Sequence, residues 1–218
     1  MFLSSIIVAR LLGQHVFGQY VVIYNTLTTA TNLLQFSLGG TATKYVAELR
    51  STDRQAAGRV IALCALITAI TGALGVAGLC AASGVIASSV LKTQALQSPL
   101  ILGAAFLFFS GVCWFQVGVL AGLEKYKELA YSGVWSGLAT VSAMALRTQL
   151  GGIYGVIAGL IAATCTRALI QLHYLRRALR EELIHVSLSG ATSVSRLIAN
   201  FALPAALCNY FTLPITWA

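Results

Sequence analysis

The most informative residues are amides and hydroxyls that recur at helical spacing within apolar stretches. Asn25, Thr28, Asn32 and Gln35 are three, four and three residues apart, which places them on one face of a helix. Lipid offers such groups no hydrogen-bond partner, so this face is expected to point to the interior of a helix bundle or to a water-filled cavity. The alternative is hydrogen bonding between helices with no ligand.

A second polar face and one isolated arginine follow later in the chain. Ser136, Thr140 and Arg147 share a helix face with Ser132 and are expected to point inward for the same reason. Arg167 lies inside an apolar stretch, where an arginine costs about 2.5–3.5 kcal/mol on insertion scales. It could bind a ligand, or it could extend its guanidinium to the membrane edge. The two faces and Arg167 are therefore the candidate lining of a substrate cavity.

Two prolines, Pro204 and Pro214, interrupt the last apolar stretch of the chain. Each removes a backbone hydrogen bond, so a kink is expected there. Both are hinge candidates, because a kinked helix can act as a hinge in transport, although kinks also occur in static bundles.

Patterns typical of catalysis or metal binding are missing from the sequence. All six acidic residues lie outside the apolar stretches, and no base is paired with a nucleophile. No carboxylate cluster could hold Mg²⁺, and the five cysteines lack the spacing of a metal or redox motif. We therefore expect no enzyme, no metal and no cofactor, and we interpret the cysteines as small apolar fillers.

The overall composition indicates a membrane protein. The chain has 218 residues, 58% of them hydrophobic and 9% charged, with mean hydropathy +0.83. Soluble domains carry about 25% charged residues, so a disordered chain, a coiled coil and an ordinary soluble enzyme are excluded. The prediction is an all-α, polytopic transmembrane bundle. The net charge of +8 does not indicate nucleic acid, because the basic residues flank the apolar stretches.

Six full spans are predicted, with a shorter apolar segment before them. Residues 2–9 reach only about 12 Å, against a hydrocarbon core of about 30 Å, so we expect them to end a helix whose start is missing. The chain is then a single bundle over residues 1–218. The spans lie near 19–39, 60–80, 99–121, 132–150, 154–175 and 197–217.

Basic residues distinguish the two sides of the membrane. The connectors after the first, third and fifth full spans hold ten lysines and arginines, and the opposite connectors hold three. The positive-inside rule places the ten in the cytoplasm, with Arg54 and Lys125 there and Lys92 outside. The acidic residues fall on the cytoplasmic side as well, which predicts ordered, ion-paired helices that include an Arg177–Glu181 pair.

Local signals add detail to the cytoplasmic connectors and to helix packing. Apolar residues recur at helical spacing over 42–49, beside Lys44, Glu48 and Arg50, which predicts a helix at the membrane interface. Thr52–Gln55 fits a capping box that begins the next span. Glycine rows at 118 and 122 and at 133 and 137 predict close packing of helices within the chain.

Several short motifs resemble bacterial polysaccharide flippases of the O-antigen type, within the multidrug/oligosaccharidyl-lipid/polysaccharide exporter superfamily. Ala9-Arg-Leu-Leu-Gly13, followed by Phe17-Gly18-x-Tyr20, is similar to the signature after the first helix of that family. Further similar segments follow in the family's order. They lie at 38–48, 118–126, 152–155 and 201–204.

The resemblance implies a two-lobed exporter fold, of which this chain is the N-terminal lobe. Alternating access of a central cationic cavity would turn over undecaprenyl-pyrophosphate-linked oligosaccharide in the bacterial inner membrane, for O-antigen and lipopolysaccharide assembly. The implied partners are this lipid-linked oligosaccharide, the membrane and a C-terminal lobe. The alternatives are a multidrug exporter of the same superfamily and an inert or scaffolding membrane fragment.

Overall fold

The structure is a computed structural model that describes residues 2–34, 38–90 and 93–187. Over these residues the protein is all-α, as predicted, and contains no strand. A π-helical turn, Ile86–Val90, and a 3₁₀ turn, Gln94–Leu96, separate the third and fourth α-helices. The α-helices are α1 (Phe2–Leu34), α2 (Leu38–Leu49), α3 (Arg54–Val85), α4 (Gln97–Gly122) and α5 (Tyr126–Glu181).

Two glycines break the regular geometry of α1 and α5. Gly13 has φ 73° and ψ 166°, and Gly152 has φ 54°. Glycine adopts such positive φ values at little cost because it has no Cβ. In α5, the first half (126–151) and the second half (Gly152–Glu181) lie side by side, because residues of both line one groove. The chain therefore folds back on itself between these halves.

Three helices are long and apolar enough to cross a membrane: Arg54–Ser88, Gln97–Gly122 and Gly152–Glu181. They contain the spans predicted near 60–80, 99–121 and 154–175. Within the described part of the chain, the segment 14–34 and the first half of α5 do not meet that criterion. These two segments are the ones that contain the predicted polar faces.

The span predicted at 19–39 has the wrong boundary. α1 is described to Leu34, and the chain from Leu38 onward already belongs to α2. The hydrophobic stretch of the sequence therefore covers parts of two helices. The span predicted at 197–217 lies outside the described residues.

The start of α3 also differs from the prediction by one residue. Asp53, not Thr52, is the N-cap, and its Oδ1 accepts a hydrogen bond from the backbone nitrogen of Ala56 at 2.9 Å. The Thr52 hydroxyl instead donates to the carbonyl oxygen of Glu48 in α2, at 3.2 Å. An aspartate carboxylate satisfies the free N–H groups of a helix start as well as a threonine hydroxyl does.

α4 is the centre of the bundle and packs against α1, α2, α3 and α5. It is apolar on all sides, as expected of a helix that others surround. Two apolar clusters form along it. The first core includes Val46, Val60, Phe115, Leu120 and Leu175. The second core includes Ile23, Leu27, Leu100, Leu107 and Leu160.

Glycines allow α2 to approach α4 closely. A Cβ at Gly122 would lie 2.9 Å from the carbonyl oxygen of Thr43, and a Cβ at Gly118 would collide with the carbonyl of Gly39. The Thr43 hydroxyl donates to the Gly118 carbonyl oxygen at 2.9 Å. The packing predicted for this glycine row is confirmed. The glycine row in the first half of α5 has no neighbour within 4 Å of its Cβ positions among the described residues.

Ion pairs join the helices at one end of the bundle. Arg50 Nη2 lies 2.6 Å from Glu124 Oε2, and the same arginine donates to a carbonyl of the turn after α4. Lys125 Nζ donates to Glu181 Oε2 at 2.8 Å, and this hydrogen bond raises the pKa of Lys125. The predicted Arg177–Glu181 pair is confirmed, with Nε 3.0 Å from Oε1. These connectors are therefore ordered by paired charges, as the sequence predicted.

Candidate functional site

The face predicted from Asn25, Thr28 and Asn32 lies on the outside of the bundle. Asn25 and Asn32 are exposed, whereas Thr28 is half-buried and its hydroxyl donates to its own helix backbone at 2.8 Å. The opposite face of this segment is packed in the second core, where Ile23 is 1% and Leu27 is 0% exposed. The segment therefore turns its apolar side inward and two amides outward. Gln35, the fourth predicted member, lies outside the described residues.

The second predicted face has the opposite environment. Ser132 and Ser136 are buried, and Thr140 is half-buried. Their hydroxyls donate to carbonyl oxygens of their own helix at 2.8, 3.1 and 2.7 Å, respectively. Each hydroxyl has its hydrogen bonded to the backbone, so only its acceptor capacity is left for another partner.

Besides Gln35, three predicted site residues have no described side chain. Arg147 lies in α5, but its side chain is outside the described part of the structure. Pro204 and Pro214 lie beyond residue 187 and are likewise outside it. Their assignments as cavity and hinge residues stay predictions.

A third polar group lies inside the bundle. Gln116 is 4% exposed and Gln171 is 1% exposed. The Oε1 atoms of both residues and the Nε of Arg167 are buried and have no hydrogen-bond partner among the described residues. Buried polar atoms are nearly always paired in folded proteins. We call Gln116, Arg167 and Gln171 the buried polar layer.

One contact and the helical spacing place this layer between α4 and the second half of α5. Cys113 Sγ lies 3.7 Å from the carbonyl oxygen of Thr164, which aligns the two helices. They run parallel, because their N-terminal parts share the second core and their C-terminal parts share the first. Gln116 follows Cys113 by three residues, and Arg167 and Gln171 follow Thr164 by three and seven. Gln116 therefore lies on the same face of α4 as Cys113, and Arg167 and Gln171 lie on the same face of α5 as Thr164.

The buried polar layer offers two hydrogen-bond acceptors and one donor. A water molecule can donate to a glutamine oxygen and can accept from the Nε–H of Arg167. The guanidinium charge makes the layer unsuited to a cation. Among the described residues there is also no group of three His, Cys, Asp or Glu side chains that could hold a metal ion.

The sequence prediction included Arg167 but missed both glutamines. The structure groups Arg167 with Gln116 and Gln171, and it does not bring the exposed face of α1 together with the buried serines of α5. Gln116 belongs to no polar stripe, so helical periodicity gave no signal for it. A usable signal was present in the four-residue spacing of Arg167 and Gln171 within one apolar stretch.

Comparison with known proteins agrees with this membrane architecture. The model of a family described as polysaccharide biosynthesis protein matches residues 1–208, which include every described helix. No curated protein and no solved structure matches the chain. Three of the described helices are long and apolar enough to cross a membrane. Because the family model matches most of the chain, the chain belongs to the polysaccharide biosynthesis protein family.

Proposed function

We propose that this protein takes part in flipping lipid-linked oligosaccharide across the bacterial inner membrane by alternating access. The proposed substrate is undecaprenyl-pyrophosphate-linked oligosaccharide of the kind used for O-antigen and lipopolysaccharide assembly. The chain supplies the N-terminal lobe of a two-lobed exporter, and its exposed polar face lines the cavity between the lobes. Family membership supports the link to polysaccharide export.

The observation that carries the proposal is the exposure of two amides, Asn25 and Asn32, on a segment whose opposite face is packed in the second core. In a membrane, such amides would face lipid unless water or another part of the protein covers them. An amide has both donors and acceptors, so it matches sugar hydroxyls in either direction. A hydrated cavity that receives a glycan meets both requirements.

The distribution of charge supports an anionic substrate over a cationic drug. All six acidic residues lie in connectors or near helix ends, whereas a cation-coupled drug exporter would prefer carboxylates deep in the membrane. The net charge of +8 suits a pyrophosphate head group. This balance favours a flippase over a multidrug exporter of the same superfamily.

Thiol labelling with and without substrate tests the proposal. Asn32→Cys, in a background with every native cysteine replaced by alanine, is expected to react with a small water-soluble thiol reagent. Accumulation of lipid-linked oligosaccharide, in cells that make it but cannot consume it, is expected to protect this cysteine. Leu74→Cys is the control, because Leu74 is 65% exposed on the apolar α3 and is expected to face lipid and stay unlabelled.

The labelling results at position 32 distinguish a sugar-binding cavity from a scaffold without transport. Labelling at position 32 that substrate suppresses would support a sugar-binding cavity. Labelling that substrate does not change would favour a hydrated scaffold without transport. Absence of labelling at position 32 would overturn the cavity assignment.

A further inference from the structure

The two halves of α5 enclose a groove on the outer surface of the bundle. The groove has a volume of about 690 Å³ and is lined mainly by apolar and aromatic side chains. It is open to the side, because Trp135 and Leu138 on one wall are 58% and 61% exposed. The lining includes Trp135, Leu138, Ala139, Ile170, His173 and Tyr174.

One wall of the groove continues into a basic surface. Arg176, Arg177 and Arg180 follow His173 by three, four and seven residues, so they lie on the same helix face. Arg177 is paired with Glu181 at 3.0 Å. Arg176 and Arg180 are exposed and have no ion-pair partner within the described ranges. Two uncompensated cations therefore lie at this end of the groove.

The other wall has a matching order of side chains. Tyr131 and Lys127 precede Trp135 by four and eight residues and share its helix face. Tyr131 is 59% exposed, and Lys127 is also exposed. Along both walls, apolar side chains give way to aromatic rings and then to cations. This is the order in which a phospholipid presents its acyl chains, its interfacial region and its phosphate.

The length of the second half of α5 places the basic end at the membrane surface. Its 30 residues extend about 45 Å, whereas the hydrocarbon core is about 30 Å thick. The last turns, which hold Arg176 and Arg180, therefore lie at the level of the lipid head groups. The asymmetry of basic residues assigns this end to the cytoplasmic leaflet.

We infer that the groove binds an anionic phospholipid of the cytoplasmic leaflet. Its acyl chains lie against Leu138, Ala139 and Ile170, and its phosphate lies beside Arg176 and Arg180. The groove belongs to α5, whereas the exposed amides belong to α1, so lipid binding here does not depend on the transport function proposed above. A bound lipid would hold the two halves of α5 together, where side-chain packing leaves a gap.

Native mass spectrometry of the full chain with phosphatidylglycerol tests this inference. Arg176→Gln combined with Arg180→Gln is expected to weaken phosphatidylglycerol binding by about 30-fold. Each cation near the membrane surface strengthens the binding of an anionic lipid by about fivefold, and the double variant removes two of them. Arg54→Gln combined with Arg59→Gln removes the same charge from a different connector and is expected to leave binding nearly unchanged. Equal losses in the two double variants would overturn the site in favour of general surface attraction.

A second variant tests the apolar part of the groove without changing its charge. Ala139→Phe is expected to fill the groove and to displace phosphatidylglycerol, with the helical content checked by circular dichroism. Phosphatidylcholine, which has no net charge, is expected to bind weakly to every variant. Tight binding of phosphatidylcholine would overturn the inference, as would retention of phosphatidylglycerol by Ala139→Phe. Undecaprenyl pyrophosphate that displaces phosphatidylglycerol through Arg176 and Arg180 would reassign the groove to the transported lipid.

Discussion

The exposed amides of α1 and the buried polar layer place similar groups in opposite surroundings. Asn25 and Asn32 point away from the bundle, so only something outside it can satisfy them. Gln116 and Gln171 are almost fully buried between two helices, where only a small molecule such as water can reach their oxygens. Under the function proposed above, the outer amides serve to recognise a substrate, and the inner glutamines are expected to be hydrated.

The largest effect is expected from an apolar side chain that belongs to neither polar surface. Leu100 is fully buried in the second core. Leu100→Ala is expected to lower the free energy of unfolding by about 2–5 kcal/mol, because it leaves a cavity among packed helices. Thermal unfolding in detergent measures this change. An unfolding midpoint equal to that of the unchanged protein would show that apolar packing does not hold the bundle together.

Gln171→Leu is expected to act in the opposite direction. The substitution removes a buried oxygen that has no partner among the described residues, so stability is expected to stay constant or to rise by up to about 1–3 kcal/mol. The same thermal measurement applies. A loss as large as that of Leu100→Ala would mean that Gln171 is fully hydrogen-bonded in the membrane, and the contrast between the two surfaces would fail.

Hydroxyl-radical labelling compares a polar interface with an apolar one at equal burial. Cys113 is 3% exposed next to the buried polar layer, and Cys64 is 0% exposed in the first core. If water occupies the layer, Cys113 is expected to be oxidised several times faster than Cys64. The difference should disappear when Gln116→Leu and Gln171→Leu are combined. Equal oxidation of both cysteines in the unchanged protein would indicate a dry layer.

Sequence patterns predicted the apolar helices better than the places where helices end. Long hydrophobic runs define α3, α4 and the second half of α5, because membrane spans depend on composition. The N-cap at Asp53 depends on one local hydrogen bond, and the predicted capping residue was wrong by one position. The span predicted at 19–39 extends past the described end of α1 at Leu34 and into α2. Ion pairs of the connectors were predictable, since the acidic and basic residues lie on the same side.

The polar sites differ in the same way. Helical spacing identified the face of Asn25 and Asn32, because several polar residues repeat along one segment. Gln116 and Gln171 come from different helices, and only the packing of α4 against α5 brings them to one interface. A single sequence contains no record of that packing, and so the grouping of Gln116 with Arg167 and Gln171 could not be predicted.

The smallest effect on stability is expected at the exposed face. Asn32 is exposed, and hydrogen bonds between membrane helices average about 0.6 kcal/mol, so Asn32→Leu is expected to change stability by less than this amount. Thermal unfolding alongside Gln171→Leu checks the order of the two effects. A clear loss of stability would mean that Asn32 holds helices together and does not face a cavity.

A cysteine scan along residues 14–34 tests most directly whether the polar face of α1 meets water. The positions compared are 25, 28 and 32 on the polar face, 23 and 27 in the second core, and the lipid control at 74. A water-soluble thiol reagent is expected to label 25, 28 and 32 and to leave 23, 27 and 74 unreacted. Absence of labelling at all six positions would mean that this face is a dry contact between helices, and it would overturn the proposed cavity.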